Sequence, residues 1–389
     1  MRRLFLILFL VFSVSLVTGQ SSTFLGEAGL VQDLSDAEWK NDSFTGDFSE
    51  VPYVFATTQT TNGGQDPSGA HVRDVSLEGF ETQHCEYDGG DGCDSHAAED
   101  NAWFAVDPSV VDSIDGMDAG TVNTTDDSGG YTVYFDDSIR NKPMIFTNIQ
   151  TEEGSGDSLN TQARDVTAEN ATVEFCEQES SDSCDSSHAE EEIAWLAVDP
   201  SIIESEEGFD YGNFSKGNSN WQSISFSQSF DQAPMVIADV QTEGGSQEAL
   251  YPEVNNVDAN GASVRFCESD GGDGCDSHNT EKVAWLALSP GIVNINTTET
   301  KLCDSRGPSN ECIINSQRNV NSQEYDITSR FFVESSSILQ ALSSKAVFNI
   351  SNKTTISGLW EGSFDIISDE TRLVEGAKLK PGNGEIVIQ

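Results

Sequence analysis

The sequence predicts an all-β protein: three tandem antiparallel modules followed by a β-rich tail. Three observations carry that prediction. One segment recurs three times at fixed spacing, each copy reads as short alternating strands, and glycine or asparagine turns separate those strands. Pro52, Pro143 and Pro234 lie 91 residues apart, as do Gln59, Gln150 and Gln241, and Cys85, Cys176 and Cys267. Trp103, Trp195 and Trp285 follow at spacings of 92 and 90. The period is too long for a solenoid unit and suits a small domain.

The chain opens MRR-LFLILFLVFSVSLV-TGQ, two arginines before an apolar run and then small residues. That layout predicts a secretory signal peptide over residues 1–19, cleaved after Gly19. No other stretch is long and apolar enough to span a bilayer, so no membrane insertion is expected after cleavage. A secreted, cell-surface location follows as the expectation.

The copies are placed at 33–118, 119–209 and 210–295, with the tail at 296–389. In the third copy WQSISFSQSF predicts an alternating strand and APMVIADVQT a second, before the glycine-rich loop EGGSQ. EVNNVDANGASVRFC predicts two more strands around a turn at Asn260-Gly261, and VAWLALSP a last one. Five or six such strands make an antiparallel sandwich or barrel. The last strand is apolar on both faces. In IAWLAVDP, Ile193, Trp195 and Ala197 share one face and Ala194, Leu196 and Val198 the other. Either a second sheet within the copy covers the extra face, or the copies pack on one another as an intramolecular pseudo-trimer.

Before each last strand lies a polar nine-residue element. DGGDGCDSH ends at His96 and again at His278, and SSDSCDSSH ends at His188. The eight cysteines fall as Cys85/Cys93, Cys176/Cys184, Cys267/Cys275 and Cys303/Cys312. In an exported chain this even count and local spacing predict four disulfides. A bridge at the loop base would stiffen a glycine-rich connection, by about 2–3 kcal/mol in chain entropy if unstrained. C-x7-C-x2-H-x2-E also carries enough ligands for zinc, but oxidised cysteines cannot supply thiolates, and no metal site is expected. Calcium is a milder alternative to zinc, its weak candidates being Asp88, Asp91 and Asp94 and again Asp270, Asp273 and Asp276. No other cofactor is expected. No G-x-S-x-G elbow and no free thiol are foreseen, so no enzymatic activity is predicted. The three histidines either present ring nitrogens to a ligand hydroxyl or brace the loop against Glu99, Glu191 and Glu281. Both readings stand at this point.

Acids outnumber bases 66 to 19, a net charge of −47. Such a surface repels phosphate backbones and excludes nucleic acid as a partner. The acids are scattered among plentiful apolar residues, which argues for a folded, salt-tolerant surface and against disorder. Seven N-x-[ST] sites, at Asn41, Asn123, Asn170, Asn213, Asn296, Asn349 and Asn352, fit a glycoprotein.

Several segments occur in an order that resembles the H-type lectin domain, the family of the edible-snail agglutinin and the C-terminal part of the discoidins. Trp221 to Phe230 with Pro234 match its opening strands, and Arg73-Asp74-Val75-Ser76 with Gly79-Phe80 match its middle turn, as does Arg164-Asp165-Val166-Thr167. Ser277-His278-Asn279-Thr280 running into Ala284-Trp285-Leu286 matches its end. The resemblance implies six-stranded antiparallel β-sandwiches, assembly as trimers, and binding of galactose or N-acetylgalactosamine at subunit junctions. It implies His278 as the sugar-contacting residue, with His96 and His188 as its copies.

In the tail, KAVFNIS, TTISGLWEGSFDII, TRLVEGAKLK and GEIVIQ predict short strands of a stalk or β-helix, or of a small β-sandwich. Its last segment would leave a strand edge open to pairing with another chain. The sequence as a whole points to a secreted carbohydrate-binding adhesin recognising cell-surface glycans. The alternative is a structural cell-surface or filament subunit without sugar binding.

Overall fold

The alternating segments of each copy form six strands. In the first module these are β1 (Ser22–Leu34), β2 (Lys40–Ser43), β3 (Tyr53–Thr58), β4 (Ser68–Arg73), β5 (Gly79–Glu86) and β6 (Glu99–Val106). The second has β7 (Met117–Thr124), β8 (Tyr131–Tyr134), β9 (Met144–Ile149), β10 (Leu159–Arg164), β11 (Asn170–Glu177) and β12 (Glu191–Val198). The third has β13 (Phe209–Lys216), β14 (Gln222–Ser225), β15 (Met235–Val240), β16 (Leu250–Asp258), β17 (Gly261–Glu268) and β18 (Glu281–Leu288). The chain is seen here as a computed structural model. It describes residues 22–296 except 36–37, 63–66, 87–92, 94–96, 125–129, 137–138, 154–158, 178–188, 202–207, 218–219, 243, 245–248, 269–274 and 276–278, and beyond 296 only strand segments.

Every module is a sandwich of two three-stranded antiparallel sheets. The outer sheets run β2-β5-β4, β8-β11-β10 and β14-β17-β16, and the inner sheets β1-β6-β3, β7-β12-β9 and β13-β18-β15; one parallel bridge, Glu253 to Thr58, joins the third outer sheet to the first inner sheet. The first module thus begins at Ser22, upstream of the expected boundary at 33, because β1 supplies the edge of its inner sheet. Its sequence has drifted from β7 and β13, but the glycine is kept. Gly29, Gly120 and Gly212 face Trp103, Trp195 and Trp285, and a Cβ on any of them would sit 2.5–2.8 Å from the indole. The expected strand over WQSISFSQSF is shorter than foreseen. It stops at Ser225, because Phe226 and Phe230 both turn into the core and meet edge-on at 5.2 Å.

The doubly apolar last strand is buried on both sides. Ile193, Trp195 and Ala197 fill the sandwich core with Ile145, Leu159 and Phe175. Ala194, Leu196 and Val198 join a shared core with Phe55 and Phe104 of the first module and Ile237 and Leu286 of the third. The copies therefore pack on one another around a pseudo-threefold axis.

The glutamines that mark the period lock this packing. Gln150 Nε2 donates to the Val54 carbonyl (2.7 Å), and its Oε1 accepts from the Val54 N–H (2.9 Å). Gln241 treats Ile145 in the same way, at 2.5 and 2.7 Å. Gln59 completes the ring on the Pro234 carbonyl (3.2 Å) and the Val236 N–H (2.7 Å). Each module thus clasps one neighbour through backbone groups in or just before β3, β9 or β15 that would otherwise be buried unpaired. A further strand, β19 (Gly291–Asn296), pairs antiparallel with β1 and closes the third module onto the first.

Between the first two modules lies a single turn of helix, α1 (Pro108–Val111), capped by Asp107. The R-D-V turns are left-handed at their second residue: Asp74 has φ 51, Asp165 φ 50 and, at the same place in the third copy, Asn256 φ 51. Asp and Asn tolerate that conformation better than other non-glycine residues. Among the described residues no helix is long and apolar enough to cross a membrane.

The tail strands are β20 (Ser305–Arg306), β21 (Cys312–Ile314), β22 (Gln317–Val320), β23 (Glu324–Ile327), β24 (Phe331–Val333), β25 (Ile338–Ala341), β26 (Ala346–Ile356), β27 (Leu359–Gly362), β28 (Phe364–Leu373), β29 (Lys378–Pro381) and β30 (Val387–Ile388). They pair in parallel along β21-β24-β26-β28-β30 and β22-β25-β27-β29, with β23 also parallel to β26, apart from the antiparallel β20–β21. From β24 onward successive strands alternate between the two sheets. That is the connectivity of a β-helix.

Candidate functional site

The cysteine-bearing strand ends of all three modules meet at one end of the axis. Cys85, Cys176 and Cys267 pair across their outer sheets with Gly69, Asn160 and Tyr251. Those three partners converge. The Asn160 amide donates to the Leu250 carbonyl (2.6 Å), and Gly69 is so close to Tyr251 that a Cβ would lie 3.1 Å from its ring. Cys176 packs with Ala249, Tyr251 and Cys267, uniting the second and third loop bases in one buried cluster.

Cys85–Cys93 and Cys267–Cys275 are disulfides, each with Cα atoms 4.9 Å apart. Cys176 is also disulfide-bonded. Cys184 and Cys303 lie outside the described residues, and Cys312 is described only as part of β21. His71 with Cys85 and Cys93, and Glu253 with Cys267 and Cys275, bring ligand-type atoms within 4.8 Å. Their sulfurs are spent in bridges, so neither group offers the thiolates a zinc ion takes.

Beneath each loop base sits a cross-strand pair whose chemistry differs between copies. It is His71 with Gln83, Gln162 with Glu174, and Glu253 with Arg265. His71 Nε2 lies 2.8 Å from the Leu159 carbonyl of the second module, and Gln83 donates to Cys93 Sγ at 3.0 Å. Gln162 donates to Glu174 at 2.7 Å, which Arg164 also holds at 2.9 Å. Arg265 and Glu253 are both 1% exposed and joined at 2.7 Å, with the guanidinium 4.5 Å over the Trp221 ring. A buried pair of this kind fixes position more than it adds stability. Arg73 stacks on Trp39 at 3.9 Å and reaches Glu152 of the second module at 2.9 Å.

The loops return to β6, β12 and β18 through buried glutamates. Glu99 accepts from the Thr60 hydroxyl and the Asn62 N–H. Glu191 accepts from Thr151 (2.6 Å) and the Glu153 N–H (2.9 Å), and Glu281 from Thr242 (2.5 Å) and the Gly244 N–H (2.6 Å). Each threonine follows a clasping glutamine, so the Gln-Thr pair ties a module's loop exit to its neighbour. The sequence marks this pair as periodic but gives no sign of what the side chains grip.

His96, His188 and His278 lie outside the described residues, as do Asp88, Asp91, Asp94, Asp270, Asp273 and Asp276. What the described residues place is the root of each loop on which these groups sit. No family model matches the chain, and neither a curated protein nor a solved structure matches it.

Proposed function

We propose that the protein is a secreted, cell-surface adhesin that binds carbohydrate through its three disulfide-bridged loops. One observation carries the reading: the roots of all three loops meet at one end of the pseudo-trimer. Three weak contacts fixed on one head gain avidity through effective concentration, without any new contact. Each copy's sequence carries one histidine there, His96, His188 or His278, and an imidazole can donate to or accept from a sugar hydroxyl. The resemblance to H-type lectins supports a galactose or N-acetylgalactosamine ligand. Disulfides suit an oxidising extracellular setting, and the sequons at Asn41, Asn123 and Asn213 are exposed for glycosylation. The tail would carry the head away from its attachment.

A glycan array in high salt, run with the wild type and His278→Ala, tests this reading. Saccharide binding that falls on substitution supports it. Silence on the array, or binding untouched by the substitution, overturns it. A second reading is a structural cell-surface or filament subunit without sugar binding. It draws on the unlike pairs at the loop roots, where His71/Gln83, Gln162/Glu174 and Glu253/Arg265 do not present three equivalent sites. It expects a silent array.

A further inference from the structure

Positions 57, 148 and 239 are equivalent in the three copies and hold threonine, asparagine and aspartate. Each reaches from β3, β9 or β15 toward the backbone of the next module. Thr57 is satisfied, donating to the Ala238 carbonyl (3.3 Å) and accepting from the Ala238 N–H (3.1 Å). Asn148 spends its Nδ2 on the Ala56 and Ala70 carbonyls, both at 3.3 Å. Asp239 Oδ2 accepts from the Thr147 N–H (2.5 Å) and hydroxyl (2.7 Å). The remaining oxygens, Asn148 Oδ1 and Asp239 Oδ1, are buried and unpartnered.

The two residues are 6% and 2% exposed. Together with Thr57 they line one cavity of ≈ 20 Å³, room for a species the size of a water. With Asp239 ionised both orphan atoms are acceptors only, so what meets them is a donor or a cation. No lysine or arginine lines the cavity, and its one other titratable side chain, His71 on β4, is engaged with the Leu159 backbone. A carboxylate buried without a countercharge is costly.

We propose that this axial cavity binds one monovalent alkali cation, Na+ or K+, between Asp239 and Asn148. Carboxylate and amide oxygens are hard ligands that suit such an ion. A single positive charge balances the single carboxylate, whereas calcium sites gather several. The ion links the second and third modules at the centre of the head and is independent of any sugar bound at the loops. Burial pushes the Asp239 carboxyl well above the usual carboxylate range, so a proton competes with the metal for the same oxygen.

The test is thermal unfolding of the full chain in NaCl or KCl against tetramethylammonium chloride, whose cation is too large for the cavity, at matched ionic strength. Wild type and Asp239→Asn share the same acidic exterior, so general screening acts on both alike. At about pH 8 the alkali salt should raise the wild-type Tm several degrees more than that of the variant, and the excess should shrink at about pH 5 as the proton takes the site. Equal gains in the two proteins, or an excess indifferent to pH, would overturn the proposal. Should the variant fail to fold, wild-type crystals soaked in RbCl decide. An anomalous peak beside Asp239 and Asn148 supports the site, and density without anomalous signal shows water and overturns it.

Discussion

Trp103, Trp195 and Trp285 each stand over a glycine of the module's first strand, and the three arrangements are nearly interchangeable. Around the axis the equivalent positions have diverged instead, to Thr57, Asn148 and Asp239, and at the loop roots to His71, Gln162 and Glu253. The difference follows from what each layer buries. Apolar contacts are non-directional and reward the same solution in every copy. Polar groups on an axis interact with their own equivalents, and three carboxylates there would repel one another at close range. A symmetric homotrimer must place every residue three times. A single chain with three copies need not, and this one uses that freedom at the axis while keeping its tryptophan layer uniform.

Substitutions in the uniform layer should have the largest effect. Trp195→Ala empties part of the second core and should cost about 3–5 kcal/mol in denaturant unfolding. Gly120→Ala would drive a Cβ to 2.8 Å from the same indole, an overpacking cost of roughly 1–3 kcal/mol. Gly212→Ala should match it against Trp285, and unlike values would break the claim that this layer is uniform. In the clasp, Gln241→Ala leaves the Ile145 N–H and carbonyl buried without their partner, a loss of roughly 1–3 kcal/mol.

The smallest effect is expected in acid. At Asp107 burial raises the carboxyl pKa, but hydrogen bonds from Ser109 and Ser49 outweigh it and hold the group below its ordinary 3.8. Asp199 behaves likewise, against Ser201, Arg140 and Asn141. A lowered native pKa means stability present above the unfolded value and lost as pH falls through the native one. Unfolding followed down the acid limb should therefore show Asp107→Asn and Asp199→Asn flattening that slope. The third module carries Ser289 at the equivalent place, so Ser289→Ala should leave it unchanged.

Much of the architecture is legible in the sequence, because burial leaves periodic marks. The strand IAWLAVDP has one apolar face too many for an isolated sandwich, and Leu196 in the shared core is the reason. The spacing of Gln59, Gln150 and Gln241 is equally plain, yet a glutamine that clasps a distant backbone looks like any polar residue near a strand end. β1 escapes the repeat because only Gly29 and an acid two residues earlier are common to all three copies. The axial cavity is invisible for another reason: Asp239 is one acid among 66 acidic residues, and only a buried, unpartnered oxygen at the cavity wall sets it apart.

The closure of three modules into one head is tested most directly by small-angle X-ray scattering of residues 20–296. A single closed unit predicts a compact particle with a radius of gyration of about 19 Å for that chain length. An elongated particle with three separated scattering masses would contradict it.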